Sequence, residues 1–84
     1  MDVILTKDAD ALVCLLYKEY CQKRKDGIPK FEAKMFNGSD EIQKTITPKW
    51  TFEDTDETCS ELSRANLLDC FYGDNVVQHC SLVV

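Results

Sequence analysis

Residues 51–84, TFEDTDETCSELSRANLLDCFYGDNVVQHCSLVV, hold two patterns in succession: an amphipathic helix and then a β-hairpin. Thr51 can cap the helix, and Asp54 three residues on makes a shorter relative of the capping box. Phe52, Thr55, Cys59, Leu62 and Ala65 recur at the three-and-four spacing of one helical face and form the predicted buried stripe. Asn66 suits the C-terminal stop because it tolerates a left-handed backbone. The segments 67–72 and 76–83 are rich in Val, Leu, Phe and Tyr, which favours strand. Gly73-Asp74 is the predicted two-residue turn; Asp74-Asn75 would shift the register by one.

Working outward, the N-terminal half reads as helices broken by turn residues. Residues 2–7, DVILTK, form an apolar lead-in, a strand or an arm on the core. Asp8 or Asp10 can cap a first helix running to Arg24 or Lys25, with Leu12, Leu16, Tyr20 and Lys23 on one stripe and Val13 and Tyr17 widening it. Lys23, Arg24 and Lys25 suit the helix C-terminus, and Gly27 stops it. Pro29 starts a second short helix, Lys30–Phe36, with Phe31, Met35 and Phe36 inward. Asn37-Gly38 ends it through positive φ. Ser39 can cap a third segment, Asp40–Thr45, with Ile42 and Ile46 inward. Thr47-Pro48-Lys49 breaks the pattern again.

The chain has 84 residues, enough for one small domain spanning 1–84, and 44% hydrophobic with 30% charged residues is a globular rather than a disordered balance. No basic leader with an uncharged apolar core opens the chain, and no apolar run reaches the length of a membrane span. The 5 cysteines, Cys14, Cys21, Cys59, Cys70 and Cys80, are odd in number and read as core thiols of a cytoplasmic protein rather than a disulfide framework. No C-x-x-C pair exists to hold zinc. The closing Ser81-Leu82-Val83-Val84 is apolar and stops abruptly, which points to an exposed last strand or to a chain cut from something longer.

Helix, short helix, short helix, long helix and two-strand wing is an order that resembles the winged helix-turn-helix superfamily over nearly all of the chain, and small winged-helix proteins of bacteria in particular. The resemblance implies an α+β fold, mainly α, with three to four helices followed by a two-strand wing. It makes Thr51–Asn66 the recognition helix and Tyr72–Asn75 the tip of the wing. It also implies DNA binding through the recognition helix.

Charge argues against that last implication. The net charge is −5, yet residues 1–50 hold nine basic against eight acidic side chains. The imbalance therefore lies in 51–84, where Arg64 alone faces seven acids. With the apolar stripe inward, the helix presents Glu53, Asp54, Glu57, Ser60, Glu61 and Arg64, four of them carboxylates. Phosphates need Lys and Arg, and each close like-charge pair costs about 1 kcal/mol even in water. The sequence therefore favours a non-catalytic protein-interaction or assembly module. Glu53, Glu57, Glu61, Arg64, Tyr72 and Asn75 are its partner-facing residues, or the last strand pairs with a second copy. Glu57 and Glu61 are both expected to be exposed, so that lysine at either leaves folding intact. The alternative is a DNA-binding regulator that uses the wing and the basic helix ends, Lys23, Arg24, Lys25, Lys30 and Lys34. No catalytic, cofactor-binding or metal-ligating set is assigned. His79 and Cys80 are adjacent strand residues pointing to opposite faces, and a Cys70–His79 approach has no oxyanion donor beside it. No small-molecule substrate, cofactor or membrane is indicated.

Overall fold

The computed structural model describes residues 5–84, so most of the lead-in 2–7 lies outside the described residues. Helix α1 spans Lys7–Lys25, α2 Lys30–Ala33, strand β1 Met35–Asn37, α3 Ser39–Thr45, α4 Phe52–Arg64, β2 Leu68–Gly73 and β3 Val76–Leu82. Among the described residues the fold is α+β: four helices and one three-stranded antiparallel sheet of order β1-β3-β2. The hairpin is thus not a free two-strand unit, because β1 adds to it.

Thr6, rather than Asp8 or Asp10, caps α1, its hydroxyl accepting from the Ala9 N–H. The two aspartates instead sit in the first turn, where a carboxylate suits the helix dipole. Leu5 packs on the core just ahead of the cap. At the other end Gly27 has φ 87°, and the Ile28 N–H reaches back to the Lys23 carbonyl at 3.0 Å, a Schellman closure. Ala9, Leu12 and Leu16 are fully buried, with Val13 and Tyr20 against them. Tyr17 is exposed, so the stripe is narrower than its spacing predicts.

The predicted second helix, Lys30–Phe36, stops after one turn. From Met35 the chain is extended and pairs with β3, Phe36 opposite Cys80 and Asn37 opposite His79. A four-residue helix has little cooperative support, so the tertiary pairing wins. The alternation of a strand then replaces helical spacing: Phe36 is buried, whereas Met35 is exposed. Phe31 is 63% exposed rather than inward, because its short helix offers only Ala33 to the interior. Gly38 does not end a helix through positive φ; it is extended, φ −72° and ψ −179°, and stands at the cap position of α3. Ser39 is therefore the first residue of α3 instead of its cap, and it is fully buried.

Helix α4 begins as its sequence predicts, the Thr51 hydroxyl accepting from the Asp54 N–H at 3.1 Å. Thr55, Thr58, Cys59 and Leu62 are its buried face. Phe52 is 37% exposed and Ala65 half-buried, while Thr58 goes inward with its hydroxyl donating to the Asp54 carbonyl at 2.6 Å. The Thr47 and Thr55 hydroxyls, both buried, satisfy each other at 2.8 Å. Asn66 has φ 60° and ends the helix.

The turn is Asp74-Asn75, with φ 53° and 66°, in place of Gly73-Asp74. Positive φ at both central residues is the twist that suits a two-residue hairpin. Cys70 then faces Cys80, and Phe71 faces His79, so a Cys70–His79 pair is not formed across the strands. Gln78 has no partner in β2, a one-residue bulge between the Phe71–His79 and Tyr72–Val77 pairs. The C-terminal strand is central, paired on both sides, which removes it as a free edge for a second copy. Leu68, Val77, Cys80 and Leu82 close the core from the sheet side against Leu12, Leu16, Ile42 and Leu62. Each such leucine contributes about 1.5–3 kcal/mol by leaving water.

Candidate interaction surface

The acidic character of α4 comes from local helix chemistry first. Glu53 and Asp54 lie in its first turn, where carboxylates are stabilised by the dipole, and Glu57 follows one turn after Glu53 on the same side. All three are exposed. The start of α1 lies alongside, so Asp8 joins Asp54, Glu57 and Glu61 around a crevice of about 250 Å³ that Thr6 and Thr58 also line. Four carboxylates thus surround one concavity, and Asp8 was not distinguishable as a member from its own helix alone.

Glu61 is not free as the helix spacing predicts. Its Oε2 accepts from the Thr6 N–H at 3.0 Å and its Oε1 from the Thr6 hydroxyl at 2.9 Å. One carboxylate thereby holds the residue that caps α1, and ties the start of the chain's first helix to α4. The Thr6 N–H, the Thr6 hydroxyl and the nearby Arg64 charge, in that order, lower the Glu61 carboxyl from its ordinary 4.5, against a small desolvation in the other direction. A depressed native pKa stabilises the fold above the ordinary value, and this contribution is lost as pH falls through the depressed one. Melting temperatures of the wild type and Glu61→Gln should therefore differ at neutral pH and converge in acid below 4.5. A gap that persists in acid would mean the clamp is not electrostatic. Lysine at 61 should loosen the start of α1, unlike lysine at Glu57.

Asp56 is the acid that helical spacing did not single out. It sits between the buried stripe and the exposed face, half-buried. Its Oδ1 accepts from the Ser39 hydroxyl at 2.5 Å and from the Val77 N–H at 2.8 Å. One side chain of α4 therefore joins the first residue of α3 to the second of β3. Its signal in the sequence is its neighbour Thr55, a stripe residue that draws the adjacent position toward the sheet.

Of the other residues that the sequence offers as partner-facing, Arg64 is exposed in the last turn of α4. The Tyr72 hydroxyl donates to the Ser60 hydroxyl at 3.0 Å, which lays the end of β2 along α4, although the Tyr72 ring stays half exposed. Asn75 is a turn residue at φ 66°. Glu53, Glu57, Arg64 and Asn75 thus remain available, Tyr72 only through its ring, whereas Glu61 is committed internally.

The basic residues do not make one free face. Lys23 donates to the Met35 carbonyl at 3.0 Å and stands 4.2 Å over the Phe36 ring. Arg24 donates to the Ile28 carbonyl at 3.0 Å, and Lys34 is half-buried where its carbonyl accepts from the Leu82 N–H. Only Lys25 and Lys30 of the five are exposed with no side-chain hydrogen bond among the described residues.

The cysteines divide between the core and the surface. Cys59 and Cys80 are buried, Cys21 and Cys70 half-buried, and Cys14 exposed. Cys14 therefore is no core thiol, since its position on α1 turns away from Leu12 and Leu16. A concavity of about 370 Å³ lies between α1, β1 and α3, with Glu19, Lys23, Met35, Ile42 and His79 on its walls. His79 Nδ1 stands 2.9 Å from the Phe36 carbonyl, to which it can only donate, and its ring stacks on Phe71. Among the described residues no helix is long and apolar enough to cross a membrane. No protein-family model matches the chain, and neither does any curated protein or solved structure.

Proposed function

We propose that the chain is a non-catalytic, cytoplasmic protein-interaction module on a winged-helix-like scaffold, and that the acidic face of α4 receives a lysine- and arginine-rich segment of a partner protein. The order of a long helix, short helices and a closing hairpin supports the scaffold reading, with α4 in the place of the recognition helix and Tyr72–Asn75 at the wing tip. One observation carries the partner chemistry: Asp54 and Glu57 are exposed beside Asp8 around the same crevice, and Glu53 is exposed in the same first turn of α4. Opposite charge steers association with such a surface, and phosphates are repelled by it.

Fluorescence anisotropy separates this from the DNA-regulator alternative. A labelled Lys/Arg-rich peptide is expected to bind at low salt and to weaken as salt screens the carboxylates. Glu53→Lys with Glu57→Lys should abolish that binding. The same variant should keep its helical circular dichroism, because exposed substitutions usually change stability by less than about 0.5 kcal/mol. A mixed-sequence DNA duplex should not bind. DNA binding at low salt that falls steeply with salt would instead favour a regulator working through Lys25, Lys30 and the hairpin.

A further inference from the structure

The hairpin places two free thiols face to face. Cys70 and Cys80 are Cα partners on adjacent antiparallel strands, with side chains on the same side of the sheet. Directly paired residues in such a ladder are about 4.5–5.5 Å apart at Cα. A disulfide spans about 4.4–6.8 Å, so the backbone is already at bonding separation. The Cys70 S–H now donates to the Cys59 carbonyl at 3.6 Å, and the Cys80 S–H to the Asn37 carbonyl at 3.7 Å. Both are weak bonds, and turning about χ1 releases them.

The two thiols differ in a way that assigns roles. Cys70 is half-buried on an edge strand, so a small oxidant reaches it; Cys80 is fully buried on the central strand. The facing Cys80 thiol holds Cys70 below its ordinary pKa, outweighing the desolvation that opposes it. Cys70 in turn, together with burial, raises Cys80. Cys59 nearby is pushed up to about 12, chiefly by burial, and stays protonated. Among the described residues no group of three Cys, His, Asp or Glu side chains is placed to hold a metal.

We propose that Cys70 and Cys80 are a redox modification site: a peroxide converts them to a reversible cross-strand disulfide. Cys70 gives up its thiol proton and its thiolate attacks one peroxide oxygen; the O–O bond breaks, Cys70 sulfenic acid forms, and the departing hydroxide takes up that proton and leaves as the first water. The Cys80 sulfur then attacks the sulfenic sulfur. The S–S bond forms, the S–O bond breaks, and the hydroxyl leaves as a second water with the Cys80 proton. Two thiols lose two electrons and hydrogen peroxide gains them. A dithiol reverses the reaction by exchange. The bond ties the edge strand to the central strand and fixes the hairpin that lies along α4.

The test uses the full chain with Cys14→Ser and Cys21→Ser, which removes both α1 thiols and leaves the hairpin pair and Cys59. After stoichiometric hydrogen peroxide, the intact mass should fall by two hydrogen atoms and only one thiol should remain alkylatable under denaturing conditions. Chymotryptic cleavage after Phe71 or Tyr72 separates the two cysteines, so a peptide containing both by a linkage identifies the bond. Dithiothreitol should restore the starting mass. Cys70→Ser in the same background, folded by circular dichroism, should form no disulfide. Sulfinic acid on Cys70 without a linked peptide would overturn the proposal. So would a bond from Cys59 to either partner.

Discussion

Replacing Asp56 by alanine is expected to destabilise the protein by about 2–3 kcal/mol. The carboxylate accepts from the buried Ser39 hydroxyl and from the Val77 N–H. Deleting it leaves the Val77 N–H unpaired and the Ser39 hydroxyl with only the longer 3.4 Å contact to the Val77 carbonyl, and each buried group left unpaired costs about 1–3 kcal/mol. Asp56 is half-buried, so water offsets part of the sum and leaves about 2–3 kcal/mol. In a domain of this size each kcal/mol shifts the melting temperature by about 4–8 °C, and the midpoint should fall by about 10–20 °C. Asp56→Asn keeps one acceptor and should lose roughly half as much. Urea denaturation of Asp56→Ala, Ser39→Ala and the double variant gives the coupling directly. Independent, additive losses would mean that α3 and α4 are not joined through this carboxylate.

Gly38→Ala should be comparably damaging, for a steric reason. A Cβ at this position would stand 2.5 Å from the Val77 carbonyl oxygen, 3.0 Å from the Gln78 carbonyl oxygen and 3.1 Å from the Gln78 carbonyl carbon. All three are backbone atoms of β3, which cannot rotate away as a side-chain end can. The strand or the start of α3 must shift, and forced overpacking of this kind costs about 1–3 kcal/mol. The same movement would lengthen the Asp56 contacts, so the upper end is expected. Gly27→Ala is the contrast: its φ is 87° with nothing within 4 Å, and the penalty is conformational, about 1 kcal/mol. Urea midpoints that rank Gly27→Ala as the worse variant would mean that Gly38 does not lie against β3.

The two glycines show where sequence reading succeeds and where it stops. Gly27 acts within its own helix end, so the preceding basic turn and the following Ile28-Pro29 are sufficient to read it. Gly38 acts on a strand about forty residues away, and Asn37-Gly38 read locally suggests positive φ instead. The acidic face of α4 was legible for the same local reason, since Glu53, Asp54 and Glu57 follow from the cap and the stripe. The commitment of Glu61 to Thr6, the inclusion of Asp8 in the crevice and the clamp at Asp56 were not. Each depends on which elements lie side by side.

The sequence by itself determined α1 and α4, their stops at Gly27 and Asn66, the Thr51 cap and the closing hairpin. Helical spacing, capping and turn chemistry act within a few residues, and those signals were strong there. Only the tertiary structure decided that Met35–Asn37 is a strand, that β3 is central rather than an edge, and that Cys70 faces Cys80. A three-residue strand has no stability apart from its partner. The one-residue choice between Gly73-Asp74 and Asp74-Asn75 then reassigns every cross-strand pair, because side chains alternate faces with a period of two.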